Sequence, residues 1–298
     1  MPSPEHRDQL SINEIIASLE VFDGKYKREE IDAAIAHKSE IVPRLLAILE
    51  NVLANPEKFA EDESYSGHTY GLMLLGHFRE SKAHEIIIGL CGLPADLPYR
   101  LFGDLITEVL PVILLRTCNR SVEAIKGLVC NSTADDYCRG SAAEAIMYGV
   151  AEGIVTREEA LSFLGGLFEG DAANVSGAFY DIVACCIHDL YPDELIGTIE
   201  EAYRKGYIHS GHIGLDDFQR AISRGKEQCL LDLQGELERR SLDDLHESMS
   251  WWACFEEKPQ HLTPAGSIGR KPSDAERKKA RSKITKASRK KNRKRKKS

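Results

Sequence analysis

The side chains that could do chemistry in this 298-residue chain are of two kinds, cysteines and histidines within apolar runs and a concentration of charge. Cys185, Cys186 and His188 sit in one apolar run, "GAFYDIVACCIHDLY", and His209 and His212 follow in "HSGH". Zinc takes Cys and His ligands, but structural sites space them as Cys-x2-Cys or His-x3-His, and neighbouring residues on a helix point about 100° apart. A filled core with histidines edging a loop therefore competes with a metal site at Cys185, His188, His209 and His212. His68, His77 and His84 straddle another helix pair, with Cys91 and Ser81 as nucleophiles within the same stretch. General-base catalysis there would need hydrogen-bond geometry that spacing does not provide. The acids Glu152, Glu158, Glu159, Glu200 and Glu201 fall where an exposed helical face would put them. No Gly-rich phosphate loop follows a strand, and "GLFEGDAANVSG" lacks the lysine of a P-loop. These patterns imply no cofactor and leave a non-enzymatic protein as the simpler reading. An enzyme or cofactor-modifying protein with a site near His188, His209 and His212 is the alternative.

The second concentration is charge. Residues 270–298 hold 16 of the 39 Lys and Arg but only Asp274 and Glu276 of the 47 acids, a formal +14. The remaining chain then has 23 basic and 45 acidic residues, or −22, which hides inside a net charge of −8. An acidic folded body with a basic, disordered arm fits that asymmetry. Lys278, Lys279, Arg281, Lys283, Arg289, Lys290, Lys291, Arg293, Lys294, Arg295, Lys296 and Lys297 are the nucleic-acid-binding candidates. They would act by releasing counterions from phosphates, which gives affinity without sequence choice. No aromatic residue follows Phe255 to stack on bases. Folding back on the acidic body is the competing use of the arm. Membrane insertion is not expected, because the longest apolar run, Val109–Leu115, is too short to span a bilayer. "MPSPEHRDQL" has no apolar core of signal-peptide length, so the expectation is a cytoplasmic protein with reduced cysteines. Trp251 and Trp252, in "SWWACF", are partner-binding candidates, since adjacent tryptophans anchor interfaces when they are not packed on their own helix.

The elements that must position these groups repeat. Segments opening at Ser39, Ser81, Ser121, Thr156 and Pro192 recur at spacings of 42, 40, 35 and 36 residues. Each begins with Ser, Thr or Pro-Asp near acidic residues, which suits a helix N-terminus. After Thr156 the apolar positions Ala160, Leu161, Phe163, Leu164, Leu167 and Phe168 form one helical face. Longer helical candidates from Tyr65, Tyr99, Asp136 and Gly177 alternate with them, several apolar on more than one face. Pro111 is expected to kink or split its helix. Strand patterns are nearly absent. The fold class is therefore all-α, an α-α superhelix in which helix pairs bury their apolar faces against one another, with a disordered basic tail.

On these repeats the sequence resembles HEAT-like proteins of the phycobilisome-lyase repeat type. More narrowly it resembles a bacterial family of unknown function, the domain-of-unknown-function family eleven-eighty-six, over roughly Ile12 to Ile222. Some members of that group end in a SEC-C zinc motif whose start resembles Ile268–Arg270, but here no cysteine follows Cys254. The resemblance implies a helical solenoid and carries no catalytic motif. The expected organisation is capping helices over 1–38, HEAT-like repeats over 39–222, closing helices over 223–257, and a hinge with basic tail over 258–298. The expected function is an interaction scaffold that binds a protein or peptide along the solenoid surface, the tail adding contact to nucleic acid or ribosomes.

Overall fold

The computed structural model describes residues 10–94, 96–169 and 177–255. Met1–Glu256 form one compact unit. The hinge and the basic tail, with all twelve of its candidate residues, lie outside the described residues.

The described chain is helical. Its only bridges of β type are two isolated ones among the described residues, Val21 to Tyr65 and Pro94 to Ala134. Helix α1 (Ile12–Glu20) starts at a capping box, in which the Ser11 hydroxyl accepts from the Glu14 amide and the Glu14 carboxylate accepts from the Ser11 amide at 2.8 Å. It buries Ile15, Ile16 and Leu19 against α2 (Arg28–Ala36). Then come α3 (Lys38–Ala54), α4 (Pro56–Glu61), α5 (Gly67–His77), α6 (His84–Cys91), α7 (Leu97–Phe102), α8 (Leu105–Glu108), α9 (Leu110–Thr117), α10 (Glu123–Cys130), α11 (Asp136–Ala151), α12 (Arg157–Gly166), α13 (Ala178–Asp189), α14 (Ile196–Arg204) and α15 (Leu215–Arg224). Pro111 does split its helix: α8 stops at Glu108 and Pro111 stands in the first turn of α9, where no helical partner is lost.

The helices form two rows. In one, α3 packs on α6 and α6 on α10; in the other, α5 packs on α9, α9 on α11 and α11 on α13. The second row lies between neighbours on both sides, which is why its helices lack a polar face. Helix α11 buries Cys138, Gly140, Ser141, Ala142, Ala143, Ala145, Ile146, Met147, Tyr148 and Gly149. Its small residues set the spacing: a Cβ on Gly140 would collide with the Ile182 side chain of α13.

Each second-row helix ends in left-handed backbone: at Arg79 (φ 53°), at Asn119 and Arg120 (φ 48° and 62°), at Gly153 (φ 62°) and at Tyr191 (φ 69°). Such a residue turns the chain sharply and exposes the last carbonyls of the helix. Arginines satisfy those at the ends of α5, α11 and α13. Arg116 donates to the carbonyls of Gly76 and His77 at 2.9 and 3.0 Å, Arg120 to Gly153 at 3.1 Å, and Arg157 to Leu190 and Tyr191 at 2.6 and 2.5 Å. Arg157 is only 4% exposed and its remaining donors meet the Glu194 carboxylate.

The expected helix starts are met unevenly. Thr156 forms a full capping box with Glu159. Ser81 and Pro192 instead lead into single 3-10 turns, Ser81–Ala83 and Asp193–Leu195, while Ser39 and Ser121 make no side-chain cap for α3 or α10.

The last described segment contains α16 (Lys226–Arg239) and α17 (Leu245–Met249). It does more than close the far end of the stack. Helix α16 packs on α15, α13 and α11, and the chain then turns back along the second row until α17 reaches α5 and Phe255 meets Tyr26, between α1 and α2.

Candidate functional site

This returning strap, Arg240 to Phe255, and the helix row beneath it form the most chemically specified surface of the described chain. Its apolar anchors are Leu242, Leu245 and Met249, exposed by 1%, 1% and 0%. Leu242 sits beside Gly76 of α5, where an added Cβ would lie 3.3 Å from the leucine and 2.9 Å from Ile113 of α9. The strap thus lies against bare backbone.

Three polar anchors accompany the apolar ones. Arg240 faces Glu144 of α11, with Nη1 to carboxylate oxygen at 3.7 Å, and its guanidinium lies 5.8 Å from the Tyr148 ring. Both Arg240 Nη1 and Glu144 Oε2 are shielded from solvent and neither has a hydrogen-bond partner. Burial pushes the Glu144 carboxyl up to about 7 against the pull of Arg240, and burial also raises Glu108 nearby. Asp243 meets Arg116 of α9, Nη1 to Oδ1 at 2.8 Å. That bond holds the Asp243 carboxyl below its ordinary range. His246 closes the series between Tyr26 and Asp32, with Nδ1 2.7 Å from the tyrosine hydroxyl and Nε2 3.0 Å from the carboxylate. A carboxylate oxygen only accepts, so Nε2 donates to Asp32. His77 of α5 donates from Nδ1 to the Leu242 carbonyl at 2.7 Å.

Trp251 and Trp252 end this strap and differ. Trp252 stacks on Phe255 with ring centroids 5.8 Å apart and donates from its indole to the Ser248 carbonyl, whereas Trp251 is 51% exposed.

The histidines and cysteines near α13 are divided rather than convergent. Cys186 is buried in the core and Cys185 is half-buried, burial raising both thiols. His188 pairs with Asp189 at 2.7 Å and sets its ring edge-on to Phe218. His209 and His212 turn instead to Asp181, whose carboxylate accepts the His209 amide at 2.8 Å and lies 3.3 Å from His209 Nδ1 and 3.7 Å from His212 Nε2. Asp181 is 4% exposed and was not singled out by sequence reading. Among the described residues no group of three or more His, Cys, Asp and Glu side chains is placed to hold a metal ion. His68, His77 and His84 likewise go separate ways: His68 to the Leu101 carbonyl, His77 to the strap and His84 to the Thr117 hydroxyl. Glu158 and Glu159 are exposed carboxylates held by Lys226 and by the Thr156 cap.

Among the described residues no helix is long and apolar enough to cross a membrane. No solved structure matches the chain. An uncharacterized protein of Chlamydia trachomatis serovar D is 30% identical over 244 residues, covering 82% of this chain and 96% of that protein. An uncharacterized protein of Chlamydia muridarum is also 30% identical over 244 residues, covering 82% and 97%. The family described as "Protein of unknown function (DUF1186)" matches residues 10–256, the whole of the helical stack together with its strap, and the chain belongs to that family.

Proposed function

We propose that this protein is a non-enzymatic interaction scaffold of the HEAT-like type, binding a protein or peptide segment along its stacked helices, with the basic tail adding non-specific contact to nucleic acid or ribosomes. One observation carries the reading. The row α5, α9, α11 already holds a peptide-like segment, the strap, through buried Leu242, Leu245 and Met249 and the ion pair of Asp243 with Arg116. Apolar anchors at helical spacing, flanked by charge pairs, are how helical surfaces take peptides. The alternative, chemistry at His188, His209 and His212, is less favoured because these imidazoles are shared between Asp189 and Asp181.

The tail's part follows from charge alone. Neutralising about 6 phosphates makes affinity fall roughly a thousandfold between 50 and 200 mM salt. The test compares the full chain with a chain ending at residue 258 for retention of RNA across a salt series, and for retention of protein partners. Salt-sensitive RNA retention lost on truncation, with partner retention kept, is the expected result. Equal RNA retention by both would remove the tail's role, and loss of every protein partner from both would overturn the scaffold reading.

A further inference from the structure

We infer that the strap is an intramolecular ligand holding the scaffold's groove closed, and that the seat beneath it takes a partner peptide with the same order of groups. That order is a guanidinium, then an apolar side chain two residues on, a carboxylate at three, a second apolar side chain at five and an imidazole at six. It is the order of Arg240, Leu242, Asp243, Leu245 and His246. The inference rests on the scaffold reading and names the site, the partner chemistry and the regulation that go with it.

Three features separate a displaceable ligand from an ordinary piece of core. First, the seat is buried while the group in it is not: the Arg116 side chain is 6% exposed and Asp243 is 71% exposed. Arg116 is fixed by the Gly76 and His77 carbonyls whether or not the strap is present, so its Nη1 is pre-aimed at a carboxylate from outside. Second, the strap fits imperfectly. Arg240 Nη1 and Glu144 Oε2 are both dehydrated yet stop 3.7 Å apart without a hydrogen bond. A buried polar atom left unpaired costs the closed state. A partner whose guanidinium reaches Glu144 gains what the strap forgoes. Third, the strap's edge is already open: a cleft of about 350 Å³ runs beside it, lined by Arg79, Arg116, Glu152, Gln234, Ser241 and Asp243. An incoming segment can begin there before the apolar anchors lift.

Charge complementarity chooses the occupant. The seat offers an acid at Glu144 of α11, a guanidinium at Arg116 of α9 and an acid at Asp32 of α2, met in that order along the strap. A peptide of one sign fails at one of them, which sets aside both a purely basic and a purely acidic partner.

The test uses the full chain and a fluorescein-labelled peptide of residues 238–255, read by anisotropy. The closed strap lowers apparent affinity by the fraction of molecules that are open. The double variant Arg240→Ala/Asp243→Ala alters two strap residues that leave the seat intact, and it is expected to bind the peptide about tenfold tighter than the unaltered chain or better. A peptide carrying Asp243→Lys is expected to lose that binding. Equal binding of the two peptides, or no peptide binding by a double variant with unchanged circular dichroism, would overturn the proposal. Doubling of the variant's mass in solution without peptide binding would assign the seat to a second copy's strap and also overturn it. Loss of exchange with partner proteins still retained defeats the strap as ligand and leaves the scaffold reading. Exchange with no partner retained by any form does the reverse.

Discussion

Arg116 Nη1 lies 2.8 Å from the carboxylate of Asp243, joining the middle of the second helix row to the segment that returns over it. The two ends of this pair differ in what they hold. Asp243 is largely exposed and gives up little when removed, about 0.2–1 kcal/mol, because its carboxylate keeps most of its water in the pair and Arg116 keeps its two carbonyls without it. Arg116 also satisfies two helix-terminal carbonyls, and burial leaves those carbonyls without water to replace it. Asp243→Ala is thus expected to cost at most about 1 kcal/mol and Arg116→Ala about 2–4 kcal/mol, measured by urea denaturation. Equal costs would mean that the arginine does not hold the carbonyls.

Arg157 does the same work at the end of α13 without any part in the strap. Replacing it with Met keeps its volume but frees the carbonyls of Leu190 and Tyr191 and the Glu194 carboxylate. The expected loss is about 2–4 kcal/mol in global stability. Hydrogen exchange in the strap relative to the stack is expected to stay unchanged, a readout that separates this arginine from Arg116.

Glu144 makes stability depend on pH in an unusual direction for a carboxyl. Burial raises it from 4.5 to about 7, so below about pH 4.5 it is protonated in both folded and unfolded chains and costs nothing. As pH rises the unfolded chain loses the proton first, so stability falls between about 4.5 and 7 and the full cost, up to about 3 kcal/mol, applies above that. Glu144→Gln is expected to flatten this slope in urea denaturation from pH 5 to 8. A slope unchanged by the substitution would show that Glu144 is not its source.

Gly76 allows the strap's closest approach. A methyl group there meets Ile113 at 2.9 Å and Leu242 at 3.3 Å, so Gly76→Ala must displace one of them. The strap is the softer side. The substitution is expected to cost about 1–3 kcal/mol and to raise proteolytic cleavage between residues 240 and 255. Unchanged cleavage would place the strap farther from α5.

The all-α class and the alternation of helices were legible because periodicity and capping are local: the apolar face after Thr156 and its capping box with Glu159 are both found in α12. Pro111 announced the break before α9 for the same local reason. What escaped the sequence was decided at long range. The left-handed turns after α5 and α13 are made at Arg79 and Tyr191 rather than at glycine, so those residue types do not announce them, and the arginines that cap the ends of α5, α11 and α13 act across roughly a repeat's length of sequence. The path of the strap was invisible because helical period gives no direction of travel. Its anchors, Arg240, Asp243 and His246, are single polar residues whose partners lie in α11, α9 and α2. Asp181 did leave a signal, a lone carboxylate inside the apolar run of α13, where a buried charge demands partners; those partners proved to be His209 and His212.

Native-state hydrogen exchange on the full chain tests most directly whether the strap is a ligand laid on the stack or a part of its core. Amides from Leu242 to Trp252 are expected to exchange through an opening that leaves α9 and α11 protected, at rates at least tenfold faster than the slowest amides of those helices, and Asp243→Ala should accelerate only the strap. Strap amides that exchange no faster than those of α11, and only when the whole body unfolds, would contradict the account.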